Sequence, residues 1–84
     1  MAYFYIIQSK DNGGKFYIGS TNNIQRRLYE HNNSNKSGYT NKFRPWRLAY
    51  KEYYKTIQEA RWREYQAKRS AWQRKKLFEK LSLR

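Results

Sequence analysis

Ala2-Tyr3-Phe4-Tyr5-Ile6-Ile7-Gln8 and Lys15-Phe16-Tyr17-Ile18-Gly19-Ser20, with the turn-rich Lys10-Asp11-Asn12-Gly13-Gly14 between them, decide the fold. Both runs are rich in aromatic and β-branched residues and too short for a typical helix, so each reads as a strand. A turn of that composition joins them into an antiparallel hairpin, with Tyr5 and Tyr17 on neighbouring strands. Working outward, Ser20-Thr21-Asn22-Asn23 offers several N-cap candidates before Ile24-Gln25-Arg26-Arg27-Leu28-Tyr29-Glu30-His31. There Ile24, Leu28 and His31 fall at helical spacing, which predicts a short helix. Arg27 and His31 are four apart, so they project from one face and can converge on one ligand. Arg26 lies off that face, where a plain phosphate contact or an ordinary surface role suits it.

Asn32 to Asn41 is a polar Asn/Ser/Gly/Lys stretch, expected to be a loop that stays mobile until something binds. After Pro45, the residues Trp46 to Tyr54 partly alternate between apolar and polar, as a half-buried third strand would. Thr56 with Glu59 three residues later matches a capping box, and Ile57, Ala60, Glu64 and Ala67 follow at intervals of three and four. Ser70 interrupts that helix, and Trp72 to Leu81 reads as a last, basic helix with Trp72, Leu77 and Leu81 facing inward. No internal repeat or linker is present, and 84 residues suit one domain, 1–84, with one modest core.

Aromatic residues make up 19% of the chain, so large rings rather than aliphatic side chains must supply much of that core. Nineteen Lys and Arg against six Asp and Glu give a formal charge of +13, which repels itself in the compact state and is relieved by a polyanion. Residues 61–84 are the most basic part, with nine Lys or Arg against two Glu. Nucleic acid is the leading polyanion, because neutralised phosphates release counterions. A bilayer is the competitor, but no apolar run approaches the ~20 residues needed to span one, and Met1 to Tyr5 lacks the order of a secretory signal. With no cysteine there is neither a disulfide framework nor a thiolate metal site, and a cytoplasmic protein is the simplest reading.

Tyr17-Ile18-Gly19 after the strand carrying Tyr5, then Arg27 and His31, then Glu64 in a later helix with Ala60 four residues before it, resembles the GIY-YIG endonuclease superfamily. More narrowly, the chain is similar to the small stand-alone bacterial members, related to the nuclease domain of the excision-repair incision subunit. The resemblance runs from Tyr3 to about Leu81. It implies an α+β fold, a three-stranded antiparallel sheet flanked by helices. It also implies hydrolysis of DNA phosphodiesters with one divalent ion, Mg²⁺ or Mn²⁺, as endonuclease or nickase in DNA repair or recombination. Such chemistry needs a base for the attacking water, a cation for the pentacoordinate oxygens and help for the leaving oxygen.

Carried onto this chain, the resemblance makes Tyr5, Tyr17, Arg27, His31 and Glu64 the catalytic set. Tyr17 is the favoured base. Arg27 can bridge two phosphate oxygens, which a lysine cannot reproduce. His31 suits proton transfer or phosphate orientation if its pKa is near 6.5. Glu64 is the metal ligand, since Mg²⁺ accepts one carboxylate and keeps several waters. The competing reading of Glu64 is a surface ion pair with Arg61 or Lys68. Gly19 reads as a point of close backbone approach. Arg26, Lys42, Arg44, Arg61 and Lys68 are the expected nucleic-acid contacts. Two features depart from the family pattern: the first motif is Tyr3-Phe4-Tyr5 rather than Gly-Ile-Tyr, and no Asn follows Glu64. Sequence choice on DNA is expected to need a targeting partner. The alternative function is a non-catalytic nucleic-acid-binding module using Tyr39, Phe43, Trp46 and the basic helices. A weaker one is a basic partner of an acidic protein.

Overall fold

A computed structural model describes residues 1–10, 15–33 and 44–82. The order of elements is β1 (Ala2–Ser9), β2 (Phe16–Thr21), α1 (Ile24–Asn33), β3 (Trp46–Tyr54), α2 (Ile57–Arg69) and α3 (Ala71–Ser82). The three strands form one antiparallel sheet in the order β2-β1-β3, an α+β architecture. The hairpin register pairs Tyr5 with Gly19 and Ile7 with Tyr17. Residues 11–14, where the hairpin turn is expected, lie outside the described residues, but Ser9 N–H donates to the Lys15 carbonyl at 2.8 Å and closes the strand ends.

Alternation along β1 splits the core in two. Tyr5 and Ile7 face α1, where they bury with Trp46 against Ile24 and Leu28. Phe4 and Ile6 face the other way and bury with Ile18, Ala67 and Leu81 under α2 and α3. The sheet is therefore a middle layer covered on both sides. A register shift between Ile6 and Ile7 opposes Tyr50 and Leu48, so Ala49 is an extra residue in β3. This bulge reverses the parity of the strand. Trp46 and Leu48 pack on the α1 side, while Ala49, Tyr50 and Tyr54 pack on the α2 side. The incomplete alternation in the sequence has that cause.

Local signals account for the helix ends. Asn23 caps α1, its Oδ1 accepting from Arg26 N–H at 3.0 Å. The capping box at α2 is complete, with Thr56 Oγ1 accepting from Glu59 N–H and Glu59 Oε1 accepting from Thr56 N–H. Ser70 is extended, ends α2 and caps α3, its Oγ accepting from Gln73 N–H at 3.2 Å. Helix α1 runs two residues past His31. There the Asn32 amide clasps the backbone of Trp46, donating to its carbonyl at 3.1 Å and accepting its N–H at 2.6 Å.

One inward position is corrected. Trp72 is 65% exposed, with Lys76 Nζ over its ring at 4.2 Å, whereas Leu77 and Leu81 do pack on the core. Phe78 takes the inward place, stacked on Phe16 at 4.4 Å, because the α3 face that meets β2 is set by residues 77, 78 and 81. Most of the expected mobile loop, and Lys42, Tyr39 and Phe43 with it, lies outside the described residues. Among the described residues no helix is long and apolar enough to cross a membrane.

Candidate active site

The site is centred on β2, an edge strand, with side chains reaching it from both faces of the sheet. Its middle is Gly19. A Cβ there would lie 2.5 Å from the Tyr5 hydroxyl oxygen and 2.6 Å from Tyr5 Cζ. Only a residue without a side chain lets the Tyr5 ring cross from β1 over β2, so the close-approach reading of Gly19 holds.

The Tyr5 hydroxyl meets His31 Nε2 at 2.8 Å, and both residues are buried. Burial pushes the Tyr5 phenol up to about 12, against the pull of the Arg27 guanidinium beside it. Burial also lowers His31 to about 4, and the nearby positive charge of Arg27 acts in the same direction. At neutral pH the pair is thus an uncharged phenol and an uncharged imidazole. The expected His31 pKa near 6.5 is corrected by this burial, which helical spacing alone does not reveal.

Tyr17 is half-buried and stands edge-on to His31 at 5.1 Å between ring centres. Arg27 is exposed and pairs with Glu30 at 3.3 Å, both side chains nearly half accessible. Such a pair is worth little in water, so the guanidinium is available to a phosphate. Tyr5, Tyr17, Arg27 and His31 therefore form one cluster on the α1 side.

Glu64 arrives from the other side. Its Oε1 accepts from Ser20 Oγ at 2.5 Å and its Oε2 from Lys68 Nζ at 2.6 Å. Lys68 also places its ammonium 5.6 Å from the centre of the Tyr17 ring, so it reaches round the strand edge and joins the two halves. The Glu64 charge acts on the Tyr5 phenol as well. The angle of α2 is fixed by the residue before Glu64. Arg63 lies over the Phe4 ring at 4.6 Å and donates to Glu52 at 2.9 Å, and Glu52 also accepts from the hydroxyls of Tyr50 and Tyr54. Burial alone would raise the Glu52 carboxyl, but these hydrogen bonds outweigh it and hold it below the usual range.

The remaining expected contacts divide. Arg61 and Lys68 line one groove with Glu64, Tyr65 and Arg69. Arg26 points its guanidinium to Asn22 Oδ1 at 3.2 Å, and Arg44 donates to the His31 carbonyl at 3.0 Å and steadies the end of α1. Ser20 was legible only as an N-cap candidate, because its partner Glu64 is 44 residues away.

The donor set bears on the divalent ion. Among the described residues no group of three or more His, Cys, Asp or Glu converges. One carboxylate with a neighbouring hydroxyl fits a hard cation that keeps most of its waters, and does not fit a dehydrating cage. Glu64 and Ser20 would hold it, and the Lys68 ammonium would have to leave Oε2.

A family model described as the GIY-YIG catalytic domain matches residues 1–77. The chain belongs to the GIY-YIG family. It is 42% identical over 74 residues to a UPF0213 protein of Bacillus pumilus, covering 88% of this chain and 71% of that one. A UPF0213 protein of Staphylococcus saprophyticus is 40% identical over 73 residues, 87% of each chain. One of Desulfotalea psychrophila is 42% identical over 81 residues, 95% of this chain and 72% of that one. No solved structure matches the chain. Within the GIY-YIG domain here, the first motif lies in β1, the second in β2, and Gly19 is where the Tyr5 side chain of β1 lies against the backbone of β2. Family membership supports a nuclease-type function.

Proposed function

We propose that the protein is a metal-dependent DNA endonuclease or nickase whose active site is the β2 edge. The observation that carries this reading is the convergence on one strand of an arginine, two tyrosines and a neutral histidine from one face with a lone carboxylate from the other. Arg27 leaves Glu30 to bridge two non-bridging oxygens of the scissile phosphate. Tyr5 and His31, hydrogen-bonded to each other, form the uncharged wall beside the guanidinium. Tyr5, with its proton retained to about pH 12, does not serve as base. Tyr17, solvent-accessible beside them, accepts in its deprotonated form the proton of the attacking water as the new P–O bond forms and the bond to the leaving sugar oxygen breaks. When bound at Glu64, Mg²⁺ or Mn²⁺ supplies charge neutralisation for the phosphoryl and leaving oxygens. The same reading takes the protein to be cytoplasmic and to serve DNA repair or recombination, with sequence choice supplied by a targeting partner.

Incubation with supercoiled plasmid tests this reading. Wild type with Mg²⁺ or Mn²⁺ converts it to open circles, and EDTA, Glu64→Ala or Arg27→Ala abolishes the conversion. Salt-sensitive binding without nicking would instead make the chain a binding module on a nuclease fold.

A further inference from the structure

Helix α2 carries a second surface that neither the core nor the proposed chemistry uses. Trp62 and Tyr65 are 59% and 52% exposed, and their rings stack at 5.6 Å with planes 19° apart. Large rings held face to face in water on a helix of this size are an unpartnered apolar feature within a strongly basic surface. At 3.6 residues per turn, the order around the helix away from the sheet is Glu64, then Lys68 and Arg61, then Tyr65, then Arg69 and Trp62. Carboxylate, cations and rings therefore follow one another across one surface. Glu64, Lys68, Arg61, Tyr65 and Arg69 line a groove of about 520 Å³. Arg61 and Tyr65 continue into a second one of about 370 Å³ that includes Trp62.

We propose that Trp62 and Tyr65 are a stacking platform for an unpaired DNA base flanking the scissile phosphate, which makes single-stranded or locally unpaired DNA the preferred substrate. The inference rests on the nuclease reading for the position of the phosphate. Arg61, Lys68 and Arg69 match the phosphates on either side, and base faces are offered to an aromatic step only where the strand is unpaired. A continuous duplex keeps its base faces stacked internally and offers this groove its phosphates but no base face. The charge of the groove and its continuity with Glu64 favour a nucleic-acid strand over a protein partner.

Binding in EDTA separates this inference from catalysis. Fluorescein-labelled oligothymidine and a blunt duplex of equal length are titrated with wild type, Trp62→Ala/Tyr65→Ala, Trp62→Phe/Tyr65→Phe and, as an exposed ring elsewhere, Trp72→Ala. The platform predicts that the double alanine variant loses about tenfold or more in single-strand affinity and less than about twofold in duplex affinity. The double phenylalanine variant and Trp72→Ala stay near wild type. Circular dichroism shows that each variant is folded. Equal losses on both DNAs, or no loss on the single strand, overturn the proposal. So does a double alanine variant that binds DNA normally but loses a self-association seen for wild type, which would make the rings a protein interface. Platform-dependent binding by a wild type that never nicks DNA would overturn the nuclease reading alone.

Discussion

A methyl group at Gly19 would lie 2.5 Å from the Tyr5 hydroxyl oxygen and 2.6 Å from its ring, so Gly19→Ala tests how tightly the site is built. Because Tyr5 is 2% exposed and cannot swing into solvent, the substitution should destabilise the fold by about 1–3 kcal/mol in urea unfolding and should slow DNA cleavage by displacing the Tyr5 hydroxyl from His31. His31 gives a pH signature. Its folded pKa of about 4 lies below the ordinary 6.5, so the unfolded chain binds the proton first as the pH falls. Stability contributed by neutral His31 is complete above pH 6.5 and is lost between 6.5 and about 4, by roughly 3 kcal/mol at most. His31→Gln should flatten that part of the curve of melting temperature against pH, and an unchanged slope would refute the buried neutral imidazole. At this scale the sequence conveys identities better than states. Arg27 and His31 are legible as a pair from their spacing of four, but burial of His31 depends on Tyr5 crossing Gly19 from another strand.

The hairpin, the capping box and the break at Ser70 were readable as elements, because each rests on side chains within three or four residues of the backbone they affect. The bulge at Ala49 and the outward turn of Trp72 were not. Which face of β3 a residue takes depends on its register with β1, and which α3 residues meet the sheet depends on the angle between α2 and α3. Since α2 carries Glu64, its anchoring should appear in catalysis as well as stability. Thr56→Ala removes the reciprocal cap and should cost about 1 kcal/mol. Glu52→Gln weakens the clasp on Arg63 by about 1–3 kcal/mol at neutral pH. The folded Glu52 pKa is below 4.5, so its contribution is present above that value and lost as the pH falls through the lower folded pKa. Wild type and Glu52→Gln should therefore converge in stability in acid, as thermal unfolding across that range will show.

For the whole molecule, a formal charge of +13 on 84 residues makes association with DNA steeply salt-dependent. Arg61→Ala and Lys68→Ala should each reduce the slope of log affinity against log salt by about 1, whereas Arg26→Ala should change it less if its guanidinium stays with Asn22. Charge and composition pointed to a polyanion without locating its path. That path depends on where the fold assembles Arg27, Glu64 and the α2 surface around a strand edge, contacts spanning much of the chain. The assembly of carboxylate and arginine into one hydrolytic centre is the central claim, and the single-turnover cleavage rate of Glu64→Gln tests it most directly. Measured with excess protein, Mg²⁺ and a labelled DNA strand, the rate should fall by about 10²-fold or more while affinity in EDTA stays within about twofold. A Glu64→Gln rate within a few-fold of wild type would contradict the account.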